Sequence, residues 1–284
     1  GAIVAVKDYA NTADTNSITI NRNSSNIDGG TTNPTIANEG GSVVLVYADA
    51  TKGWLVVEAA QKDDLAFATY ITATGGNTIN TVGDYKVHIF TGPGTFTVCS
   101  VGNPLGSNTV TATVVAGGAG GGSRHGGGGG AGGITVGQSI PVTATGFPIT
   151  IGAGGAGAPG PSNRSSAGSP ATGLSFTGVG GGPAGSQGPT PTGLPGGSGG
   201  GAAVGGAGGS SGPNAGGSAT QPGQSQPPVS VFNAGNAGGA GGVNPGPDDG
   251  GGGGGGATAA GVPSSAPANP STFSRGGAGK DVTP

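Results

Sequence analysis

Few residues in this chain could do covalent chemistry. It holds two His, one Cys, 12 Asp and Glu and 9 Lys and Arg in 284 residues. Gly152-Ala153-Gly154-Gly155-Ala156-Gly157 has the glycine spacing of a dinucleotide-binding turn. That turn works only when a helix follows, and Ala158-Pro159-Gly160-Pro161 cannot open one; no acidic residue lies about 20 positions on to take a ribose hydroxyl. There is no Gly-Lys-Ser/Thr phosphate loop. His88 sits mid-strand in an alternating apolar run and His125 follows Arg124 in a glycine run, each without a second ligand at metal spacing, so both read as structural. Cys99 lies in Phe96-Thr97-Val98-Cys99 and reads as a small buried hydrophobe. A single cysteine excludes an intrachain disulfide framework. Asp248-Asp249, just before Gly250, reads as a loop pair. Arg275-Gly276-Gly277 has neither the repetition nor the positive charge of an RNA-binding segment. Asn23-Ser24-Ser25 and Asn163-Arg164-Ser165 are glycosylation sequons that arise easily in an Asn- and Ser-rich chain. The expectation is a protein that is not an enzyme, with no catalytic residues, no cofactor and no metal.

The composition points elsewhere. The chain has 71 Gly and 22 Pro, with 7% charged and 4% aromatic residues, and its formal net charge is −3. That charge gives no electrostatic case for nucleic acid or an anionic membrane, and no apolar run is long enough to insert as a spanning helix. With no Met and a start at Gly1-Ala2-Ile3-Val4-Ala5-Val6, inside a strand pattern, the chain reads as a piece of a longer polypeptide with more sequence upstream.

Residues 1–60 alternate apolar and polar positions with a period of two and carry no sustained helical period, so they read as all-β. Ser42-Val43-Val44-Leu45-Val46-Tyr47 leads through Asp49-Ala50-Thr51-Lys52-Gly53 into Trp54-Leu55-Val56-Val57, a hairpin pattern. Asn11, Asn16, Asn21, Asn23, Asn26 and Asn33 mark short turns. A unit of this length buries only about 60% of its unfolded surface, so association with further copies is the natural remedy. Residues 61–69 form a boundary, with the stretch 58–69 compatible with a short helix or a linker. Residues 70–116 form a second β unit. There Tyr85-Lys86-Val87-His88-Ile89-Phe90 is expected to turn at Thr91-Gly92-Pro93-Gly94 and pair with Thr95–Val101, followed by a third strand from Asn108 to Val115.

Val4-Ala5-Val6-Lys7-Asp8-Tyr9-Ala10, Asn16–Asn23 and Thr51-Lys52-Gly53-Trp54-Leu55 resemble a small β module of bacteriophage tail fibres and other virion appendages. Asp84-Tyr85-Lys86, Gly94-Thr95-Phe96-Thr97-Val98 and Val114-Val115-Ala116-Gly117-Gly118 resemble the β lead-in of phage glycine-rich domains. The resemblance implies homotrimeric modules, attachment to other virion proteins upstream and an extracellular place on the virion.

Residues 117–284 are built of Gly with Ala, Ser, Pro and Asn. Such composition is a disorder signature. Ordering one residue costs about 1–2 kcal/mol of backbone entropy, and a net hydrogen bond returns about 0.5–1.5 kcal/mol, so an isolated glycine helix does not form. In a bundle the balance changes. Polyproline-II-type helices have three residues per turn and no internal hydrogen bonds, and glycines let neighbours approach until backbone groups pair between them. Three features favour order. Apolar inserts recur at Ile134-Thr135-Val136, Phe147–Ile151, Leu174-Ser175-Phe176 and Val229–Phe232. Glycine runs alternate with breaks at 159–169, 187–195, 221–228 and 262–270. Charges are nearly absent. Gly126–Gly133, Ile149–Gly157, Gly250–Gly256 and Gly276–Gly279 are similar to the glycine-rich domain of phage adhesins, which implies packed polyglycine-II helices with host-binding loops at one end; Lys280–Pro284 departs from the apolar closing strand of that pattern.

The expected fold is therefore all-β, with small trimeric β modules followed by a glycine-rich domain of packed polyglycine-II helices. The expected function is a structural and adhesive virion component, the distal part of a tail fibre or spike that binds a host surface receptor, protein or polysaccharide. Its candidate contact residues are Arg164, Gln187, Gln224, Gln226, Phe232 and Arg275. A non-adhesive fibre or filament subunit is the alternative. An ice-binding protein would need flat faces and usually disulfide staples, which one cysteine does not supply.

Overall fold

A computed structural model describes residues 1–59, 66–103, 105–205, 213–224, 229–243, 250–264 and 274–281. The 58–69 boundary and the Asp248-Asp249 pair therefore fall partly or wholly outside the described residues. Among those described the protein is all-β, with small antiparallel sheets, no helix and no closed barrel. The strands are β1 (Ile3–Lys7), β2 (Ile18–Thr19), β3 (Thr35–Ile36), β4 (Ser42–Asp49), β5 (Gly53–Ala59), β6 (Thr72–Thr74), β7 (Thr78–Val82), β8 (Tyr85–Ile89), β9 (Gly94–Ser100), β10 (Thr109–Val115), β11 (Ile134–Pro141), β12 (Gly146–Ile149), β13 (Ala171–Gly173), β14 (Phe176–Gly178) and β15 (Ser230–Ala234). They divide between two compact units, one of Gly1–Ala73, Val98–Asn108 and Val142–Ala144, the other of Thr74–Thr97, Thr109–Pro141 and Thr145–Pro284. The stretch 70–116 contributes to both.

In the first unit β1, β4 and β5 form an antiparallel sheet in that order. The β4–β5 turn forms because the Asp49 carboxylate accepts the N–H groups of Thr51 (2.8 Å) and Lys52 (2.7 Å). Gly53 then takes φ 72° with its Cα hydrogen facing the Asn26 carbonyl, where a Cβ would lie 1.9 Å from the oxygen. Alternation sends Val43 and Leu45 into a core with Ala13, Ile27 and Ile36. Asp8 is buried beside it, its carboxylate accepting the N–H of Ala13 and of Gly40, both at 3.0 Å.

The second unit departs from the expected pairing. Strand β8 pairs with β7, and β9 pairs with β12, so the expected β8–β9 hairpin does not form. The turn Gly83-Asp84 explains this. It joins Val82 to Tyr85 with two residues, Gly83 takes φ 57°, and such a tight turn closes more readily than the longer 91–94 loop. Cys99 also departs from expectation. Phe96 and Val98 take the inward positions of β9, and alternation leaves Cys99 exposed. His88 is structural in its geometry, with Nδ1 2.8 Å from the Gly75 carbonyl and its ring edge-on to Phe96 at 5.2 Å.

The glycine tract is ordered by backbone hydrogen bonds between extended segments, and the bonds cycle with a period of three. Segment 197–205 shows the rule most fully, since all nine of its N–H groups are donated to other segments. Ser198, Gly201 and Val204 donate to Ala131, Gly128 and His125; Gly199, Ala202 and Gly205 to Asn236, Gly239 and Gly242; Gly200 and Ala203 to Leu194 and Pro191. From 198 to 205 each third residue faces the same neighbour, and Gly197 donates to Gly180, so the segment donates to four others at once. Close approach is what demands glycine here: a Cβ on Gly127 would lie 2.1 Å from the Gly201 carbonyl oxygen, and one on Gly199 would lie 1.9 Å from that of Gly217. Where side chains do enter the lattice they are small and buried, as with Ala184, Ser186, Ser198, Ala202 and Ala203.

Candidate functional site

The hydrogen-bond register fixes the direction of every segment and hence where the connections fall. Segment 126–133 runs antiparallel to 116–122, through Ala116 to Gly133, Ala119 to Gly130 and Gly122 to Gly127. Segment 152–158 runs parallel to 116–122, and 165–169 antiparallel to it. The alternation continues through 179–186, 191–194, 196–205, 213–220, 234–243, 250–257, 259–264 and 274–281. Alternate connections therefore gather at opposite ends of the lattice.

One end carries the strands. Strands β10, β11 and β15 form a sheet whose core is Ile140, Phe176 and Val229. The apolar inserts singled out in the sequence all lie in or beside its strands and those of β12–β14. Thr135, fully buried, ties this end together: its hydroxyl lies 3.0 Å from Asn233 Oδ1 and takes N–H donation from Gln221 (3.0 Å) and Gln224 (2.9 Å). The Gln221 and Gln224 amide groups also bond the backbone of Thr177 and, for Gln221, the N–H of Val179.

The other end carries loops 123–125, 159–164 and 187–190. The segments flanking 206–212, 244–249 and 265–273 also finish there, at Gly205, Val243 and Ser264. Loop 123–125 is closed by the Gly122 N–H on the Gly127 carbonyl (2.9 Å), loop 159–164 by Asn163 on Gly160 (3.0 Å), and loop 187–190 by Ser186 on Thr190 (3.0 Å). The third of these and the residues beside it touch both of the others. Ser123 N–H donates to the Ser186 hydroxyl at 3.1 Å, Gln187 N–H to the Ser123 carbonyl at 3.4 Å, and Arg164 Nη1 to the Thr192 carbonyl. Gly188 has φ 145°, and a Cβ there would lie 2.6 Å from the Pro161 carbonyl oxygen, so glycine is what lets the second and third loops meet.

The candidate contact residues distribute unevenly over these ends. Arg164 and Gln187, both half-buried, come together at the loop end. Arg275 is exposed near the start of the last described segment, its carbonyl accepting the Val262 N–H at 2.8 Å. Gln224 lies at the strand end, with its amide engaged by Thr135 and Thr177. Phe232 lies there too, on β15, 43% exposed with the Lys280 ammonium 5.6 Å from its ring centroid. Gln226 lies outside the described residues. The exposed pair Arg124-His125 at the loop end was missed from the candidates. The signal for it was the interruption itself, Ser123-Arg124-His125 standing alone between two runs of glycine. Among the described residues no group of three His, Cys, Asp or Glu could hold a metal ion. No protein-family model matches the chain, and no curated protein matches it significantly.

Proposed function

We propose that this protein is a structural and adhesive virion component, the distal part of a phage tail fibre or spike, whose glycine-rich segments pack as polyglycine-II helices and whose loop end binds the host cell surface. The observation that carries this reading is the lattice itself. A three-residue repeat of inter-segment backbone bonds needs nothing from the loops, so loop sequence is free to vary and to recognise. The described loops at one end, 123–125, 159–164 and 187–190, are Pro-, Ser-, Asn- and Arg-bearing. Repeated copies on one particle would multiply weak contacts into stable attachment.

Homotrimerisation belongs to the same proposal. The sheet of β1, β4 and β5 carries an apolar patch on its outer face as well as its inner one, through Ile3, Ala5, Val44, Val46, Leu55 and Val57, with Lys7 and Glu58 at its margin. Ile3 and Val57 are 69% and 58% exposed. An apolar face on both sides of a sheet is the pattern of a sheet covered on both sides, and further copies of the chain would cover it; other virion proteins would attach upstream.

The test is adsorption of the fluorescently labelled full chain to a panel of bacterial cells, with a variant carrying Ser162→Gly, Asn163→Gly and Arg164→Gly alongside. The expected result is adsorption to a restricted set of strains, reduced in the variant while hydrogen exchange of 197–205 stays slow. Adsorption to no strain, or equal adsorption of the variant, would reject the reading.

A further inference from the structure

The loop end has a chemical character that narrows its ligand. Between Tyr85 and Pro247 the sequence contains no Asp or Glu, while Arg124, His125 and Arg164 all fall in this interval. The three loops, two of them joined through the third, therefore bring two arginines and a histidine to one end without a single carboxylate of their own. Asp248 and Asp249, the nearest acids in the sequence, lie outside the described residues, in the connection whose flanking segments 234–243 and 250–257 also finish at this end, so the carboxylate-free character belongs to the three described loops alone.

Arg124 is the informative residue. It is exposed and has φ 55°, in the left-handed region that costs an L-residue and costs glycine nothing. This is a chain with 71 glycines, and glycine flanks the Ser123-Arg124-His125 turn on both sides. Structure alone would put glycine at position 124. The guanidinium makes no hydrogen bond or ion pair among the described residues, so none of those residues returns the cost. Strain of this kind collects at binding sites. Arg164 differs in being held: its Nη1 is fixed on the Thr192 carbonyl, which orients the planar fork and leaves its other N–H groups to an incoming acceptor. One unbonded and one fixed guanidinium at the same end as exposed Ser162 and Asn163 suit a chain of sugars bearing negative groups, where the charge goes to arginine and the hydroxyls to the amide and the serine.

We infer that the ligand of this loop end is an anionic polysaccharide, its carboxylate or phosphate groups taken by Arg124 and Arg164. The inference rests on the adhesive reading and names its ligand class. The experiment measures binding of the full chain to immobilised polygalacturonate and to phosphorylated dextran, with uncharged dextran as control, at two salt concentrations. Binding to either charged polymer, weakened by salt and absent on plain dextran, is expected, and which polymer binds tells carboxylate from phosphate. Arg124→Gly should weaken that binding about fivefold while the melting temperature holds or rises, because glycine relieves the backbone; Arg124→Lys should retain most of it. No binding to either charged polymer, or equal binding by Arg124→Gly, overturns the inference. The same variants on cells separate the two claims. Cell adsorption unchanged by Arg124→Gly would sink the ligand class and leave adhesion standing. Salt-sensitive polymer binding that Arg124→Gly abolishes, without adsorption to any strain, would uphold the patch and sink adhesion.

Discussion

Two glycines, Gly201 and Gly118, test whether close backbone approach is what orders the tract. At Gly201 a Cβ would lie 2.0 Å from the Gly252 carbonyl oxygen and 2.7 Å from its carbon. Ordinary contact needs roughly 1.5 Å more, so Gly201→Ala must push segment 250–257 away from 196–205. The displaced groups are buried and bonded: Gly201 N–H to Gly128 (2.8 Å), Gly185 N–H to Gly201 (2.9 Å) and Gly252 N–H to Ala202 (2.8 Å). Overpacking costs about 1–3 kcal/mol, and each weakened buried bond about 1 kcal/mol more. Stiffening of the unfolded chain returns about 0.4–1 kcal/mol. The net loss is about 4 kcal/mol, or roughly 12 °C in melting temperature for a unit of this size. Gly118 is exposed, and its Cβ would meet nothing nearer than the Gly130 oxygen at 3.7 Å. Gly118→Ala should therefore stabilise slightly, by about 0.5 kcal/mol. Calorimetry on both variants, with hydrogen exchange followed over 197–205, gives the comparison. Equal melting temperatures for the two would refute the reasoning, because a tract held by composition alone would not distinguish them.

Thr135→Val removes the hydroxyl that joins Asn233, Gln221 and Gln224 at the strand end; a loss of about 2 kcal/mol is expected, with faster exchange confined to β10, β11 and β15, and unchanged exchange there would show that the knot is not structural. Asp8 is held below the usual carboxylate range chiefly by the Ala13 N–H, against desolvation, with help from the Gly40 N–H; Asp49 is likewise held down, by the N–H groups of Lys52 and Thr51. Both contribute stability that is full above the ordinary Asp value of 3.8 and is lost as pH falls through the lower folded value. Asp8→Asn with Asp49→Asn should flatten the acid limb of a stability–pH curve, and a limb unchanged in the double variant would refute the assignment. Val57→Lys puts a charge on the exposed apolar face of the β1–β4–β5 sheet; the mass of the full chain by light scattering should fall from about three chains to one, and a single-chain mass in the wild type would dispose of the trimer.

The β hairpins were legible where side chains encode them. Tyr47 and Trp54 face each other across β4 and β5 with rings at 5.5 Å, and the Asp49 turn between them is written in adjacent residues. The partner of β8 was not legible in the apolar pattern, because Thr78-Ile79-Asn80-Thr81-Val82 is almost wholly exposed and carries no alternation to betray a strand. The one local signal for it, passed over in favour of the 91–94 turn, was Gly83, a left-handed residue. Within the glycine tract the difficulty is deeper. A glycine has no side chain with which to state its register, so a run such as Gly250–Gly256 looks the same in any phase. The phase is set from outside, by buried Ala202-Ala203-Val204 within the lattice and by the sheet of β10, β11 and β15 at its end.

The same reasoning explains why the contact candidates scattered. Each break between glycine runs looked alike in sequence, all Pro, Ser, Asn and Gln, and the residues chosen were the polar ones in them. But segments that alternate in direction send successive breaks to opposite ends. Breaks at 123–125, 159–164 and 187–190 share the loop end, while 221–224 falls at the strand end, and the residues there do different work: Gln224 closes a buried knot, whereas Arg164 reaches the Thr192 carbonyl and Arg124 stands exposed. Parity along the chain, rather than polarity of the residue, separates a recognition loop from a structural turn. It can be counted from the sequence once the inserts Ile134–Val136, Leu174–Phe176 and Val229–Phe232 are taken to mark one end, since every break that lacks such an apolar strand then belongs with the loops or with a short turn. By that count Arg124 and Arg164 belong to the loop end, whereas Gln221 and Gln224 belong to the strand end, where they close the fold.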